Sequence, residues 1–509
     1  MKYNILIGGA AGQGSNIITD IVSEGLLNKG YYVFYSRDYQ SLIRGGHNFN
    51  LLSFSDEPVY SNSSGIDILV CLDSKTEDIH KKALKKNAIV LSGSNPNMFF
   101  AGQIYKILGI ELEILEKQMK KLKNFVENMK EALKGYNSEK RNLGLPKLNQ
   151  NAHGGLRFMT GSQAIAYGAL KSGLDLYYAY PMTPATPLMM ELGQMQLEKD
   201  SRHKVIELES EIAVINAALG SNLLGSKAMI GTSGGGFDLM TESLSLAGMA
   251  EIPLVIYLSQ RPGPSTGVAT YTSQGDLNLA LHAGHGEFSR IVIAPGDSKE
   301  SIEKTNECFY LSQKYRVPCI LLGDKHLAES KQSFESELDL REVESSIVKP
   351  ERFNSYEADE DKDEIASEEA GVIKKNHDKR LKKQKIIEKD IENFEAYKTF
   401  GNTNSKNLIL SWGSTKGSII DALKILEEQD KSAKFIQILI VEPFSRKIIS
   451  ELNKAKKIIV VENNSTSQLS RLLAEKAQIV VDDKNKILRY DGRPFLSDEL
   501  AEEIRRRLK

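Results

Sequence analysis

The sequence predicts a multidomain α/β protein. Short apolar runs alternate with helix-period segments in three separate stretches, glycine-rich turns follow several of those runs, and a highly charged stretch separates the second alternation from the third. At 509 residues the chain is several times the usual domain length, so each stretch can bury a core of its own.

The first stretch starts with the strand-like Tyr3 to Gly8. Ile17, Ile18, Ile21, Val22 and Leu26 follow at helical spacing, and further apolar runs lie at 31–35 and 66–72. Strand, helix, strand predicts a parallel sheet with helical crossovers. From Ile110 to Lys134 the pattern is that of a charged helix, and the polar residues Gly135 to Gly155, with Pro146 among them, read as a linker. We therefore expect a domain at 1–135 and a linker at 136–156. A second α/β domain is expected at 157–337, with helices at 161–173 and 211–224 and strands at 176–180, 228–232 and 253–258. Residues 338–400 then run from the acidic Glu357-Ala358-Asp359-Glu360-Asp361 to the basic Lys374-Lys375 and Lys382-Lys383-Gln384-Lys385. That composition predicts an exposed connection that packs no core. The α/β rhythm returns at 401–509, with strands at 408–412, 436–441 and 458–461 and a helix at 418–428 after the Gly413-Ser414-Thr415-Lys416-Gly417 turn.

Composition excludes several classes of function. A 41% hydrophobic and 26% charged chain with a formal charge of −1 has neither the basic surface of a nucleic-acid binder nor that of a membrane-surface protein. Cys71, Cys308 and Cys319 lie far apart without CxxC spacing, so they assemble no iron–sulfur cluster or zinc site and are expected to be buried and reduced. The chain opens on a strand rather than a signal segment and has no run of about 18 apolar residues, which predicts a cytoplasmic location.

Five loops carry chemistry-bearing residues. Gly8-Gly9-Ala10-Ala11-Gly12-Gln13-Gly14 lies between a strand and a helix, where bare backbone amides and a positive helix end admit an anion; such turns also serve packing alone. Arg37, Arg44 and Gly45-Gly46-His47 add positive charge in what should be a neighbouring loop. Tyr180-Pro181-Met182-Thr183-Pro184-Ala185-Thr186-Pro187 follows an apolar strand, at the sheet edge where such folds bind ligands, and offers the Thr183 and Thr186 hydroxyls on a stiffened loop. Glu207, Glu209 and Glu211 precede or open an apolar helix, where a first-turn carboxylate also has the ordinary explanation of the helix dipole. Two further glycine loops follow strands, Gly231-Thr232-Ser233-Gly234-Gly235-Gly236-Phe237 and Ser259-Gln260-Arg261-Pro262-Gly263-Pro264-Ser265-Thr266-Gly267. Arg261 is the best-placed fork for a carboxylate, with a structural salt bridge as the alternative. His285, in Gly284-His285-Gly286-Glu287, reads as a loop histidine.

Taken together these loops resemble the 2-oxoacid:ferredoxin oxidoreductases over nearly the whole chain. The family's alpha subunit carries a loop like Tyr180 to Pro184, a Glu-x-Glu-Ile-Ala segment like Glu209 to Ala213, a Thr-Ser-Gly-x-Gly-Phe stretch like Thr232 to Phe237, and a Gln-Arg-x-Gly-Pro-Ser-Thr-Gly loop like Gln260 to Gly267. The Gly8 to Gly14 segment with Arg44-Gly45-Gly46 looks like the family's gamma domain fused ahead of alpha. Val460-Val461-Glu462-Asn463-Asn464 with Gln468-Leu469 looks like its transketolase-C-like domain. The departures are Ala185 for Ser, Pro187 for Glu and Ser210 for Asp.

The resemblance implies a gamma-type α/β domain, a thiamine-diphosphate-binding α/β domain of pyrimidine type and a transketolase-C-like α/β domain. It implies that Thr183 and Arg261 bind a 2-oxoacid, that Glu211 meets the aminopyrimidine of thiamine diphosphate, that Thr232, Ser233 and Gly234 line the cofactor, and that Gly12 and Gly14 help receive coenzyme A. The implied reaction is oxidative decarboxylation to acyl-CoA and carbon dioxide with reduction of ferredoxin, with 2-oxoglutarate the favoured substrate. Pyruvate or indolepyruvate oxidoreductases, a transketolase and a non-catalytic subunit of such an assembly are the alternatives. Thiamine enzymes hold magnesium on a Gly-Asp-Gly segment followed downstream by Asn; Gly296-Asp297-Ser298 and Gly323-Asp324-Lys325 begin like it and diverge. The resemblance therefore implies a beta subunit that brings magnesium and a [4Fe-4S] cluster, in a dimer of alpha–beta heterodimers.

Overall fold

The computed structural model describes residues 2–40, 46–148, 155–346, 356–359 and 366–508. They form two compact units, one of Met1–Met159 with Ser330–Glu337 and Leu496–Leu500, the other of Thr160–Glu329, Leu338–Phe495 and Ala501–Lys509. None of the helices among the described residues is long and apolar enough to cross a membrane.

The first unit is built on a seven-stranded sheet in the order Leu84–Leu91, Ile66–Cys71, Lys2–Ala10, His47–Ser55, Tyr32–Asp38, Lys331–Glu335, Leu156–Thr160. The expectation of a parallel sheet holds for only part of it. Lys2–Ala10 pairs in parallel with Ile66–Cys71, but antiparallel with His47–Ser55, in the register Lys2↔Ser55 to Ala10↔His47. The reason is a strand the apolar pattern hid: Asn48, Asn50, Ser53 and Ser55 break up the run, yet Asn50 and Ser53 are buried and satisfied by Asn16, Thr19 and Asn4 side chains. Arg37 stands inside the Tyr32–Asp38 strand rather than in a loop. Arg44 and Gly45 lie outside the described residues.

Against this sheet pack Ser15–Asn28, Asn97–Ile107 and Phe125–Ser138, the last taking up part of the charged 110–134 pattern. Asn97–Ile107 and Phe125–Ser138 cross through two glycines. A β-carbon on Gly102 would stand 1.9 Å from the Ala132 carbonyl oxygen, and one on Gly135 would stand 1.9 Å from that of Phe99. Beyond the second helix, Leu143, Leu145 and Leu148 pack on the same core.

The second unit holds two sheets. One runs Lys204–Glu207, Leu176–Ala179, Ala228–Thr232, Leu254–Gln260, Pro318–Asp324, Ile291–Ile293, Ile440–Glu442, parallel except for the last pair. Alternation along each strand feeds two cores: Ile320 and Leu322 enter one, Cys319 and Leu321 the other, as expected of a sheet covered on both faces. The remaining sheet runs Tyr397–Gly401, Lys434–Ile438, Asn407–Trp412, Lys457–Glu462, Lys486–Leu488. Its residues Leu408, Leu410 and Trp412 share a core with Ile230, Ile256 and Ile320. The strand expected at 436–441 is two strands, Lys434–Ile438 in one sheet and Ile440–Glu442 in the other. The helix expected from Ser418 starts earlier, at Thr415. All three cysteines are buried and unbonded.

The expectation that 338–400 packs no core fails at its C-terminal end. Ala370–Ile391 is a helix whose Ile387 and Ile391, one turn apart, are fully buried beside Leu311 and Tyr315. The dense lysines around them occupy the other faces, and average composition concealed the pair.

Replacing a mid-helix glycine by alanine ordinarily stabilises by about 1 kcal/mol. At Gly135 the sign should reverse, because the added carbon meets a backbone oxygen that cannot turn aside; overpacking of this kind costs about 1–3 kcal/mol. We expect Gly135→Ala to speed hydrogen exchange in both Asn97–Ile107 and Phe125–Ser138. Unchanged or slower exchange would show that the two helices separate freely.

Candidate active site

In the parallel sheet of the second unit, the chain goes from Leu176–Ala179 outward to Lys204–Glu207 and then returns past it to Ala228–Thr232. The order reverses between Leu176–Ala179 and Ala228–Thr232, so their carboxyl ends leave a crevice into which helices cannot cross. Four of the predicted loops open there or beside it: Tyr180 to Pro187, the Glu211 segment, Thr232 to Phe237, and Arg261 to Gly267.

Thr183 and Arg261 are brought together. The Arg261 guanidinium donates from Nη1 to the Thr183 carbonyl oxygen at 2.6 Å. This single bond fixes the plane of the guanidinium and leaves its other donors without a protein acceptor among the described residues. Burial lowers the Arg261 pKa and the nearby Asp276 carboxylate opposes that. Ala185 occupies the capping position of the Thr186–Met195 helix, and Pro187 sits in its first turn, where a missing N–H leaves no hydrogen bond broken.

Glu211 opens the Glu211–Leu223 helix and is 4% exposed, whereas Glu207 and Glu209 are exposed. Ser210, the family's Asp position, caps this helix by accepting the Ala213 N–H at 3.3 Å, so the departure keeps the cap. The Glu211 Oε1 atom is buried with no hydrogen-bond partner, and so is the Ser233 hydroxyl. A β-carbon at Gly236 would stand 2.1 Å from Thr232 Oγ1 and 2.7 Å from Glu211 Oε1. Glycine is therefore required at 236 for the carboxyl group to lie where it does.

Beyond Gly234 the crevice widens into a cavity of about 550 Å³, lined by Ser233, Gly234, Asp238, Arg261, Asp276 and Tyr490 among others. The segment 272–276 that forms one wall is pinned by side-chain amides. Asn464 Nδ2 donates to the Gln274 carbonyl at 3.0 Å, Gln468 Nε2 to that of Gly275 at 2.6 Å, and the Asp276 N–H donates to Gln260 Oε1 at 2.9 Å. Asn463 is a clamp of the same kind, its Nδ2 donating to the Arg489 and Arg493 carbonyls at 3.0 and 3.1 Å. Asp238 and Asp276 were missed from the sequence. The available signal was a third Gly-Asp pair, Gly275-Asp276, beside the two considered.

Those two are engaged elsewhere. Asp297 caps the Ser298–Tyr315 helix through the Glu300 N–H at 2.8 Å and is paired with Lys416. Asp324, whose pKa burial raises, accepts from the Leu327 N–H at 2.9 Å and the Thr272 hydroxyl at 3.1 Å. His285 is exposed, its N–H donating to Ser245 Oγ at 2.8 Å.

Gly12 and Gly14 belong to the first unit. They adopt φ of 87° and 88°, a region open to glycine, and Gly14 precedes the Ser15–Asn28 helix at the carboxyl end of Lys2–Ala10. A β-carbon on Gly12 would meet nothing within 4 Å, while one on Gly14 would meet Asn97 Nδ2 at 2.3 Å. Nearby, His47 and His80 share a hydrogen bond of 2.8 Å between their Nε2 atoms; burial lowers the pKa of His47, and burial together with His47 brings His80 down to about 4.

A family pattern described as "Pyruvate flavodoxin/ferredoxin oxidoreductase, thiamine diP-bdg" matches residues 167–398, and one described as "Pyruvate ferredoxin/flavodoxin oxidoreductase" matches residues 4–96. A 2-oxoacid:ferredoxin oxidoreductase subunit alpha of Sulfolobus sp is 31% identical over 99% of this chain and 96% of its own length. Its counterpart in Saccharolobus solfataricus is 31% identical over 99% of this chain and 98% of its own. The 2-oxoglutarate synthase subunit KorA of Methanocaldococcus jannaschii is 30% identical over 65% of this chain and 95% of its own. The fold is that of a solved 2-oxoglutarate:ferredoxin oxidoreductase from Magnetococcus marinus with 2-oxoglutarate, coenzyme A and succinyl-CoA bound, with a TM-score of 0.88 at 22% identity over 100% of both chains. Full-length relatives at this identity, together with the match to a thiamine-diphosphate-binding family pattern over 167–398, establish that the chain belongs to the alpha subunits of the 2-oxoacid:ferredoxin oxidoreductases.

Proposed function

We propose that this chain forms the substrate- and pyrimidine-contacting half of an active site that converts a 2-oxoacid and coenzyme A to acyl-CoA and carbon dioxide, reducing ferredoxin. The observation that carries this reading is the buried, unpartnered Glu211 Oε1 beside the bare Gly236. A buried polar atom without a partner costs about 1–3 kcal/mol, and a ring nitrogen in the crevice would satisfy it. The residues present fit an aminopyrimidine: an acid at its edge, the unpartnered Ser233 hydroxyl, and a glycine wall at 234–236 along which a flat ring can lie.

When bound, thiamine diphosphate supplies the electron sink that decarboxylation of a 2-oxoacid requires. Glu211 orients the ring and holds a proton at Oε1. Arg261, its plane set by the Thr183 carbonyl, receives the substrate carboxylate, and the Thr183 hydroxyl hydrogen-bonds to it. Gly12 and Gly14 receive coenzyme A at the amide-rich turn of the first unit. A beta subunit completes the assembly, a cytoplasmic dimer of alpha–beta heterodimers, and brings magnesium, the pyrophosphate contacts and the [4Fe-4S] cluster from which ferredoxin is reduced. 2-Oxoglutarate is the favoured substrate, a choice supported by the KorA relative and the bound molecules of the Magnetococcus marinus structure; pyruvate and indolepyruvate are the alternatives.

Glu211→Gln keeps the size of the side chain and removes its acid. We expect viologen reduction by the purified complex to fall at least about a hundredfold, the scale of a lost acid–base group. Unchanged turnover would remove Glu211 from the cofactor site. Arg261→Ala should raise KM for the 2-oxoacid roughly ten- to hundredfold, corresponding to about 1.5–3 kcal/mol for a charge-assisted hydrogen bond, with a smaller change in kcat. A KM like that of the parent complex would exclude the carboxylate fork.

A further inference from the structure

Asp276 stands at the capping position of the Leu277–His282 helix, where an aspartate ordinarily turns back to accept a helix N–H, yet its side chain makes no such bond. Among the described residues no hydrogen-bond donor meets its carboxylate. The side chain instead lies against the neighbouring turn, with Oδ2 2.7 Å from the position a β-carbon on Gly234 would take, and lines the cavity with Arg261 and Asp238. Its N–H donates to Gln260 Oε1, and the two residues before it are held through their carbonyls by the side-chain amides of Asn464 and Gln468. The surrounding structure fixes the peptide and leaves the acid facing the space that an oxoacid would enter.

The charged groups around it come from two loops. Asp238 approaches from the end of the Gly234–Leu239 helix and Arg261 from the end of the Leu254–Gln260 strand; Gln260, Asn464 and Gln468 are neutral, and Tyr490 is the other titratable group of the lining. Two carboxylates therefore face one guanidinium. With both ionised, the site repels the anion that Arg261 is positioned to bind.

We propose that Asp276 is a positioning residue of the oxoacid site whose carboxyl group takes up a proton as the anionic substrate settles on Arg261. This rests on the reading of Arg261 as the carboxylate fork. Burial, then the Asp238 charge, push the Asp276 pKa up to about 6, with Arg261 opposing them. An arriving carboxylate draws on the Arg261 charge and adds a like charge beside Asp276, and both effects raise its proton affinity further. Between about pH 6 and the higher pKa of the filled site, the empty site holds Asp276 ionised and the filled site holds it neutral, so binding consumes a proton; well below that window the acid is neutral in both states, well above it ionised in both, and the coupling vanishes. The proton also frees Arg261 from its internal counter-charge.

The test is calorimetry on the complex containing the full chain, with oxamate and N-oxalylglycine as unreactive isosteres of a mono- and a dicarboxylic 2-oxoacid, in buffers of differing ionisation enthalpy from pH 5.5 to 8. We expect proton uptake that climbs as the pH rises through 6, towards at most one proton per site, and falls away above the pKa of the filled site, with a Kd that rises across that window by up to about tenfold per unit. Asp276→Asn should abolish the uptake and keep Kd flat at the tight, low-pH value, and Asp276→Glu should restore the dependence. Binding without proton uptake, uptake that persists in Asp276→Asn, or failure of both isosteres to bind at pH 5.5 would overturn the proposal. Arg261→Ala separates the two readings: if it binds like the parent, the fork is wrong, whereas if it loses binding and the parent takes up no proton, only the role of Asp276 falls.

Discussion

At the start of the Gly234–Leu239 helix two glycines each lie against a carboxyl group, Gly236 against Glu211 and Gly234 against Asp276, and neither acid could lie where it does if residues 234 and 236 carried side chains. That double contact is the constraint on which the rest of the site depends. It brings an acid from the Glu211–Leu223 helix and an acid from the 272–276 segment to one turn. A bare α-carbon is the only way to bring a carboxyl group that close to main chain without displacing it.

The cavity wall opposite this turn is set by a different kind of interaction. Residues 272–276 have no regular structure of their own; the side-chain amides of Asn464 and Gln468 hold them in place, and the segment's own Gln274 amide donates to the Trp412 carbonyl of the C-terminal sheet. Glu462, buried at the end of the Lys457–Glu462 strand, anchors that clamp by accepting from the Leu469 N–H and from Asn464 Nδ2. Burial raises its pKa while these hydrogen bonds oppose the rise. The C-terminal segment therefore both lines the cavity, through residues such as Gln468 and Tyr490, and fixes the peptide that carries Asp276. Buried charge fastens the same two layers. Lys416 pairs with Asp297 and Glu300, and Gln437 donates to Glu300 at 2.6 Å; burial pushes the Glu300 pKa up, and the Lys416 and Lys398 charges outweigh it and hold the carboxyl below its usual range. Removing one member of such a network would leave an uncompensated buried charge.

Much of this was readable from residue order. The alternation of apolar runs and helix-period segments gave the α/β class, and glycine- and proline-rich loops after strands marked the sheet edge where Thr183, Glu211, Thr232 and Arg261 gather. These signals are local: a strand, a turn and a cap each depend on a few neighbouring residues, so their spacing alone specifies them. The buried polar strand His47–Ser55 and the isoleucine pair in the lysine-rich helix escaped notice, because their burial is justified by partners far away in the chain.

Tertiary contact governed the rest. That Arg261 meets the carbonyl rather than the hydroxyl of Thr183, that Glu211 is buried without a partner while Glu207 and Glu209 are exposed, and that Asp297 and Asp324 are engaged while Asp276 is free, all depend on which segments the sheets bring side by side. Three Gly-Asp pairs look alike in one dimension. A carboxylate becomes a cap, a buried acceptor or an open acid according to the donors that surround it, and those donors can lie 119 residues away in the chain, as Lys416 does from Asp297. Sequence order supplied the chemical groups and their edge of the sheet; which of them remain unsatisfied, and so available to a ligand, is a property of packing in three dimensions.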